Sequence, residues 1–483
     1  MSFLYIVSEK KKGRQFNERV HTQVEWMRQK AILLPVFFFA LGKDTFPAVR
    51  KGDCMKQVRH YGLTERPPLS LWFPLSFQHV FAMFGSTVVV PILVGLNPST
   101  ALFTAGTGTL IYILCTKAKV PAFLGSSFSF IAPMIAVAAE YGMPYAMGGA
   151  MFSGLFYCLI ALIIKLCGHA WLNRALPPVV IGSVIVTIGL SLAPSAMQNA
   201  MFDAQGTYQI AYFIIAIFTL VLTITASMFF KGFLSSLPIL IGLIGGYLFT
   251  VIMGAFFPAF DIIDLQRVRD AAWIGLLKFR IPKFGIAPII TFILISFATI
   301  CEHLGDTLCI SKVVEKDFYE DPGLHKTLLG DGLATSWASL WGGPPNTTYG
   351  ENVGVLAVTR NYSVWITGGA AVIAVILSLC QKFGALIRTI PGPVLGGMSM
   401  LLYGTIASSG LRTLVESGVD YRNTRNLIIS SVILVIGIGG GMLQFEIGNG
   451  LTFQLGGIAL ATLIGVILNL VLPNKAASER TDE

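Results

Sequence analysis

GGPPNTTYGENVG, residues 342–354, falls where a membrane-spanning helix is expected from about 345 to 360, yet it cannot form a regular one. Pro344 and Pro345 remove two backbone donors, and Gly342, Gly343, Gly350 and Gly354 loosen the chain around them. Non-helical backbone at this depth cannot face lipid, because its N–H and C=O groups would lack partners. It must be buried among helices or line a cavity. PAFLGSSFSFIAP, residues 121–133, has the same character: it is short, bounded by prolines, and has Gly and Ser in its middle. Two such interruptions at corresponding places in the halves of a membrane chain are the pattern of a ligand site near the bilayer midplane.

The rest of the chain supports a membrane setting. Of 483 residues, 54% are hydrophobic and 12% charged, where soluble domains carry about 25% charge. Apolar stretches run at about 73–95, 98–116, 121–137, 145–167, 177–195, 208–229, 234–256, 286–306, 327–342, 345–360, 364–381, 391–410, 426–442 and 452–472. These amount to about fourteen membrane-crossing segments, two of them broken. The net charge of +9 could suggest nucleic acid. The basic residues, however, are spread over short connections such as Lys117 to Lys119 and Arg412 to Arg425, which fits membrane orientation better. Cys115, Cys158 and Cys380 lie in apolar stretches, the cysteines show no CxxC spacing, and no HExxH occurs, so neither a metal centre nor a cofactor is expected.

Residues 1–54 are charged, and their one apolar run, Ala31 to Leu41, is too short to span. No small-residue cleavage site follows it convincingly, which argues against a signal peptide. Met55 then opens a basic, proline-containing stretch that leads into the first span. The segment 1–54 is expected to be a non-essential extension, either an upstream-start artefact or a helix lying on the surface.

With the N-terminus inside, Lys117, Lys119, Lys165, Arg174, Lys231, Lys312 to Lys326, Arg360, Arg412 to Arg425 and the tail 473–483 fall on the cytoplasmic side, as the positive-inside rule asks. The connection from Phe257 to Gly285 is the exception. It would face outward, yet it carries Arg267, Arg269, Lys278, Arg280 and Lys283, offset in part by Asp261, Asp264 and Asp270. Gln78-His79 in the first span and Glu302-His303 in the eighth mark equivalent places, and the same separation carries Phe128 to Asn352. An odd number of spans per half requires the second repeat to be inverted. The expected fold is an all-α, multi-span membrane protein, with two inverted repeats of about seven spans and broken or extended segments in spans 3 and 10.

Three carboxylates stand deep in these apolar spans, Glu302 and Asp306 in the eighth and Glu351 in the tenth. Each costs roughly 2.5–3.5 kcal/mol to bury unpaired, which makes it a functional candidate. The alternative is a packing role tied to helix ends or Thr hydroxyls. Glu302 and Asp306 are i and i+4, hence on one helix face, with His303 turned away. His303 and His79 read better as interhelical hydrogen-bonders than as ligands. Carboxylates beside loosened backbone would suit a cation. Tyr349, Phe128 and Tyr403, in or near the same kind of segment, add aromatic faces, and aromatic faces with acceptors suit a flat ring bearing N–H donors. Both readings stay open on these residues, beside a plain packing role for the aromatics.

The stretch NTTYGENVGVLAVTR (Asn346 to Arg360) contains E-N-x-G-x-x-x-x-T-R, which resembles the signature of the nucleobase-ascorbate transporter family. With SFQHVFAMFGSTVVVP (Ser76 to Pro91), PAFLGSSFSF and EHLGD, the chain from about Thr64 to about Leu472 is similar to the bacterial uracil permeases of that family. The resemblance implies a core domain from spans 1–4 and 8–11 (about 73–167 and 286–381) and a gate domain from spans 5–7 and 12–14 (about 177–256 and 391–472). It also implies import of uracil with a proton across the inner membrane by alternating access, both termini being cytoplasmic. Glu302 and Glu351 would bind uracil, the backbone at Phe128 and Gly350 would meet its carbonyls, and Tyr349 and Tyr403 would complete the pocket. In a uracil permease of the family a histidine is expected one turn after the first Glu. Here Asp306 stands at that position, so proton coupling is assigned to Asp306 with Glu302. Purine carriers of the family often have Asp there, but with Gln in place of Glu351. A xanthine or uric acid carrier is therefore the alternative within the class, and a channel is the alternative outside it. An enzyme lacks any recognisable constellation. The expected partners are uracil, a proton and the lipid bilayer, with a homodimer left open.

Overall fold

The computed structural model describes residues 60–230, 234, 237–277, 279–446 and 452–473. The 1–54 extension, Lys231, Lys278 and the tail beyond 473 lie outside these residues.

The described chain is mostly helical. In order it forms α1 (Leu69–Leu93), α2 (Pro98–Cys115), β1 (Leu124–Ser126), α3 (Ile131–Glu140), α4 (Met143–Cys167), α5 (Pro178–Ser191), α6 (Ala193–Met201), α7 (Ile210–Phe229) and α8 (Pro238–Phe256). The second half forms α9 (Ile286–Val314), α10 (Leu324–Leu340), β2 (Asn346–Thr348), α11 (Gly350–Thr359), α12 (Val364–Ser378), α13 (Gln381–Arg388), α14 (Gly392–Glu416), α15 (Thr424–Ile438), β3 (Met442–Glu446), β4 (Thr452–Gly456) and α16 (Gly457–Val471). Local chemistry sets many of the boundaries. Asn97, Ser363 and Asn423 cap α2, α12 and α15 by accepting from the backbone N–H two residues on. Proline opens α2, α5 and α8, where its missing donor costs nothing. Gly168, at φ 77°, closes α4. At one surface Lys119 lies 2.5 Å from Asp321, and this hydrogen bond holds the exposed Asp321 carboxyl below its usual range.

Among the described residues, eight helices are long and apolar enough to cross a membrane, taking α5 and α6 together. The two broken segments each resolve into a three-residue strand followed by a ten-residue helix, and the strands pair antiparallel, Leu124 with Thr348 and Ser126 with Asn346. The unsatisfied backbone of each is thus satisfied by the other. This pairing corrects the sequence register. Phe128 and Gly350 each stand two residues past the end of their strand, so Gly350, not Asn352, is the counterpart of Phe128. Other boundaries move as well. The eighth span continues to Val314 rather than stopping near 306. The segment expected as an unbroken helix from 452 begins as a strand paired with Met442–Glu446. The glycine run Gly439 to Gly441, with Gly440 at φ 68°, stops α15, and the apolar–polar alternation of Leu443-Gln444-Phe445-Glu446 and Thr452-Phe453-Gln454-Leu455 follows the period of a strand.

Helix packing forms two groups. In one, α10 packs on α4 and α2, α12 on α1 and α2, and α9 on α4. In the other, α14 packs on α5, α6 and α7, α7 on α8, and α15 on α5 and α16. Helix α9 touches both, through α5 and α16. Each group has a crossing close enough to require glycine. A Cβ on Gly332 of α10 would lie 2.6 Å from the Gly154 carbonyl of α4, and one on Gly410 of α14 would lie 2.6 Å from the Gly182 carbonyl of α5. Small residues at such crossings let helices pack by close contact where lipid offers no hydrophobic drive.

Candidate functional site

The crossing of β1 and β2 is fixed to the helices around it. Tyr349 N–H donates to Phe123 O and Ser127 N–H to Pro345 O, which extends the pairing at both ends. Leu124 N–H donates to Thr109 Oγ1 of α2 at 2.9 Å, and Asn346 Nδ2 donates to Thr104 O at 3.0 Å. Thr335 of α10 donates to Asn346 O at 2.8 Å. Gly125 is required here, since a Cβ would fall 2.4 Å from the Tyr349 ring. That ring therefore lies against β1, and its hydroxyl donates to Ser126 O at 3.0 Å while Thr87 Oγ1 approaches it at 3.2 Å.

The three carboxylates predicted from sequence gather at this crossing, each half-buried and each held by a hydroxyl. Ser129, between β1 and α3, donates to Glu302 Oε2 at 2.9 Å, and Thr348, the last residue of β2, donates to Asp306 Oδ2 at 3.2 Å. Glu302 and Asp306 lie one turn apart on α9, so the two broken segments each hold one of them. Glu351 sits in the first turn of α11, where a carboxylate is favoured by the helix dipole, and accepts from Ser86 Oγ of α1 at 2.5 Å. Among the described residues none of the three forms an ion pair with Lys or Arg. Unpaired at this depth, such groups need a proton or an N–H donor.

Gly350, at the head of α11, is exposed among buried neighbours, and a Cβ there would lie 3.8 Å from Asp306 Oδ1. Its backbone is thus open beside the carboxylates. Phe128 meets Tyr403 of α14 edge to face at 5.7 Å, which joins the crossing to the second helix group. Phe128, Tyr349 and Tyr403 are all nearly buried, at 3%, 3% and 2% exposure, so they act as walls rather than free faces. Ser126 Oγ, Ser127 Oγ and Thr347 Oγ1 are buried here without a hydrogen-bond partner among the described residues, leaving donors available to a ligand.

The sequence reading missed the hydroxyls of Ser86, Ser129 and Thr348, although all three lie in the motifs it singled out. It also missed a fourth intramembrane carboxylate. Asp331 of α10 is fully buried, with its Oδ2 3.1 Å from His303 Nδ1 of α9, and His303 Nε2 lies 3.1 Å from Thr327 of α10. The signal was present, a lone Asp in LLGDGLATSW, but the weak hydropathy of that stretch hid it. His79 bonds Asn352 of α11 at 3.1 Å, so both histidines bridge helices.

The sequence model of a permease family (Xan_ur_permease) matches residues 70–447. The chain belongs to that family. It is 49% identical over 88% of its length to the uracil permease of Bacillus subtilis (strain 168), covering 98% of that protein. It is 44% identical over 86% of its length to the uracil permease of Escherichia coli (strain K12), covering 94% of it. Among solved structures, the transmembrane domain of the cyanobacterial bicarbonate transporter BicA shares the fold at TM-score 0.57 and 15% identity, over 85% of this chain and all of that one. Murine Slc26a9, an anion transporter in the inward-facing state, does so at TM-score 0.61 and 10% identity, over 91% of this chain and 74% of that one. Family and spans together make this permease a multi-pass membrane transporter and not an enzyme.

Proposed function

We propose that this permease imports uracil together with a proton by alternating access. Uracil offers two ring N–H donors and two carbonyls. Glu351 and Glu302 accept the N–H groups, while the N–H groups near Phe128 and Gly350 donate to the carbonyls. The Gly350 N–H belongs to the first turn of α11, where helical N–H groups have no helical acceptor. The observation that carries the reading is the pair Glu302 and Glu351, each half-buried, free of any ion pair and steadied by a serine hydroxyl. Relatives 44–49% identical that bear the name uracil permease support the same substrate.

The proton is assigned to Glu302 with Asp306. Two carboxylates one turn apart in a low-dielectric site share a proton more readily than both ionise. Asp306 takes the place of the histidine expected from the family. Protonation readies Glu302 for uracil, and each ligand then strengthens the binding of the other.

Movement is assigned to the two helix groups. The core is about 73–167 and 286–381, and the gate about 177–256 and 391–472, within about fourteen crossings in two inverted repeats. The recurring order of two helices, a strand and a short helix in each half supports this. The membrane is the inner membrane, with both termini cytoplasmic. The test is uptake of labelled uracil into proteoliposomes. Accumulation driven by an inward proton gradient and abolished by its collapse is expected, with excess xanthine leaving it unchanged. Uptake indifferent to the gradient would remove proton coupling, and full competition by xanthine would move the substrate to the purines.

A further inference from the structure

Two of the arginines that break the positive-inside pattern, Arg267 and Arg280, line a cavity of about 540 Å³ whose wall includes none of Glu302, Asp306 and Glu351. Arg267, Arg280 and Arg388 contribute to its wall, together with Asn97 and Pro98 at the N-terminus of α2, and no carboxylate lines it. Their positions are built. Phe279 packs against Phe103 and Trp341 at 5.8 and 4.6 Å, and the Arg280 backbone lies against Gly342, where a Cβ would meet its N at 2.9 Å. Arg388 ends α13, the helix that receives the loop: Gln381 N–H donates to Trp273 O, and Gly275 N–H to Leu379 O. Arg267 is bonded to Asp264 at 3.2 Å, whereas neither Arg280 nor Arg388 has an ion pair among the described residues.

A second feature lies on the loop that supplies Arg280 to the cavity. Trp273, Ile274, Leu276 and Ile281 are 73%, 81%, 93% and 84% exposed, an apolar rim on a loop that also carries Arg280. Exposed apolar side chains, a tryptophan and arginines together are the composition of a membrane interface. Lys382 adds a cation 5.3 Å from the Trp273 ring.

We propose that this cavity binds the phosphate headgroup of an anionic phospholipid, whose acyl chains lie along the Trp273–Ile281 rim. Arg267 already has Asp264, but Arg280 and Arg388 stand at one cavity without an anionic partner among the described residues, and guanidinium forks suit phosphate oxygens. The N-terminus of the 18-residue α2 adds partial positive charge to the same wall. With both termini inside, the cavity opens on the outer surface, where a bound headgroup explains arginines that the orientation rule disfavours. The site itself stands whichever way the chain is oriented.

The test uses the full chain, delipidated in detergent, titrated with phosphatidylglycerol or phosphatidylcholine and read by native mass spectrometry. Phosphatidylglycerol is expected to bind preferentially. Arg280→Gln with Arg388→Gln should lower its affinity by about thirtyfold, from about fivefold per arginine, while Arg280→Lys with Arg388→Lys keeps most of it. Unfolding temperature in lipid-free detergent checks that the variants fold. Equal binding of the two lipids, or equal phosphatidylglycerol affinity in parent and Gln variant, would overturn the proposal. So would binding of inorganic phosphate without binding of the lipid.

Discussion

Glu351 is one of two carboxylates assigned to a uracil N–H, and a change of one atom tests the assignment. Gln keeps its shape but turns half of an acceptor-only group into a donor that faces another donor. A hydrogen bond to a charged group is worth about 1.5–3 kcal/mol, so Glu351→Gln should weaken uracil binding ten- to a hundredfold or more. Calorimetry on the purified variant measures this, and a parental Kd would exclude Glu351 as a ligand. Asp306 makes a different prediction. Its partner is Thr348, and Asn retains an acceptor for that hydroxyl, so Asp306→Asn should still bind uracil. It should lose the dependence of affinity on pH when binding is measured from about pH 5 to 8, because the proton linked to uracil then has no Asp306 carboxyl to share. Binding in the parent is expected to be strongest on the acid side, because proton and substrate bind together. Superimposable pH profiles would remove Asp306 from coupling.

The proposed ligand site depends on elements that are poor helices and short strands, and on the helices that clamp them. Helix α10 is the clearest case. It carries Asp331 and Thr327 toward His303 and Thr335 toward Asn346, and it crosses α4 at Gly154 and Gly332 with no space for a side chain. Gly332→Val would drive methyl groups into the Gly154 carbonyl and into Tyr157, whose Cβ lies 2.7 Å from the added Cβ. Overpacking of this kind costs about 1–3 kcal/mol or more. Thermal unfolding in detergent should fall and uptake should drop with the folded fraction, while Gly354→Ala, with nothing within 4 Å of its added Cβ, serves as the tolerated control for backbone change. A parental melting temperature for Gly332→Val would mean that the crossing has slack.

The proposed alternating access has the two helix groups move past each other, and α9 touches both. A Cβ on Gly305 would lie 2.7 Å from Ile185 Cδ1 of α5, so the two positions face each other across the boundary. Ile185→Cys with Gly305→Cys, oxidised or joined by a short thiol cross-linker, should stop uptake while leaving uracil bound at one surface, and reductant should restore transport. Each single cysteine should transport under the same oxidant. Unimpaired uptake by the cross-linked protein would mean that this boundary does not move.

Much of the molecule was legible in the sequence because a bilayer permits so few solutions. Apolar length located most spans, and GGPPNTTYGENVG and PAFLGSSFSFIAP could be recognised as broken, since proline and glycine in lipid leave backbone groups that need partners. Glu302, Asp306 and Glu351 stood out through the cost of burying a charge. Which partner satisfies each break was not legible. That the two strands pair with each other, and that Ser86, Ser129 and Thr348 hold the three carboxylates, depends on contacts between residues up to 265 positions apart. Asp331 escaped because its stretch is weakly apolar and its neighbour His303 comes from another helix. The strand pair Met442–Glu446 and Thr452–Gly456 escaped because a short apolar run reads alike as strand or helix until its partner is known. Composition and periodicity, being local, fixed what each segment could be; only tertiary packing decided which donor met which acceptor, because hydrogen bonds are made in space and not along the chain.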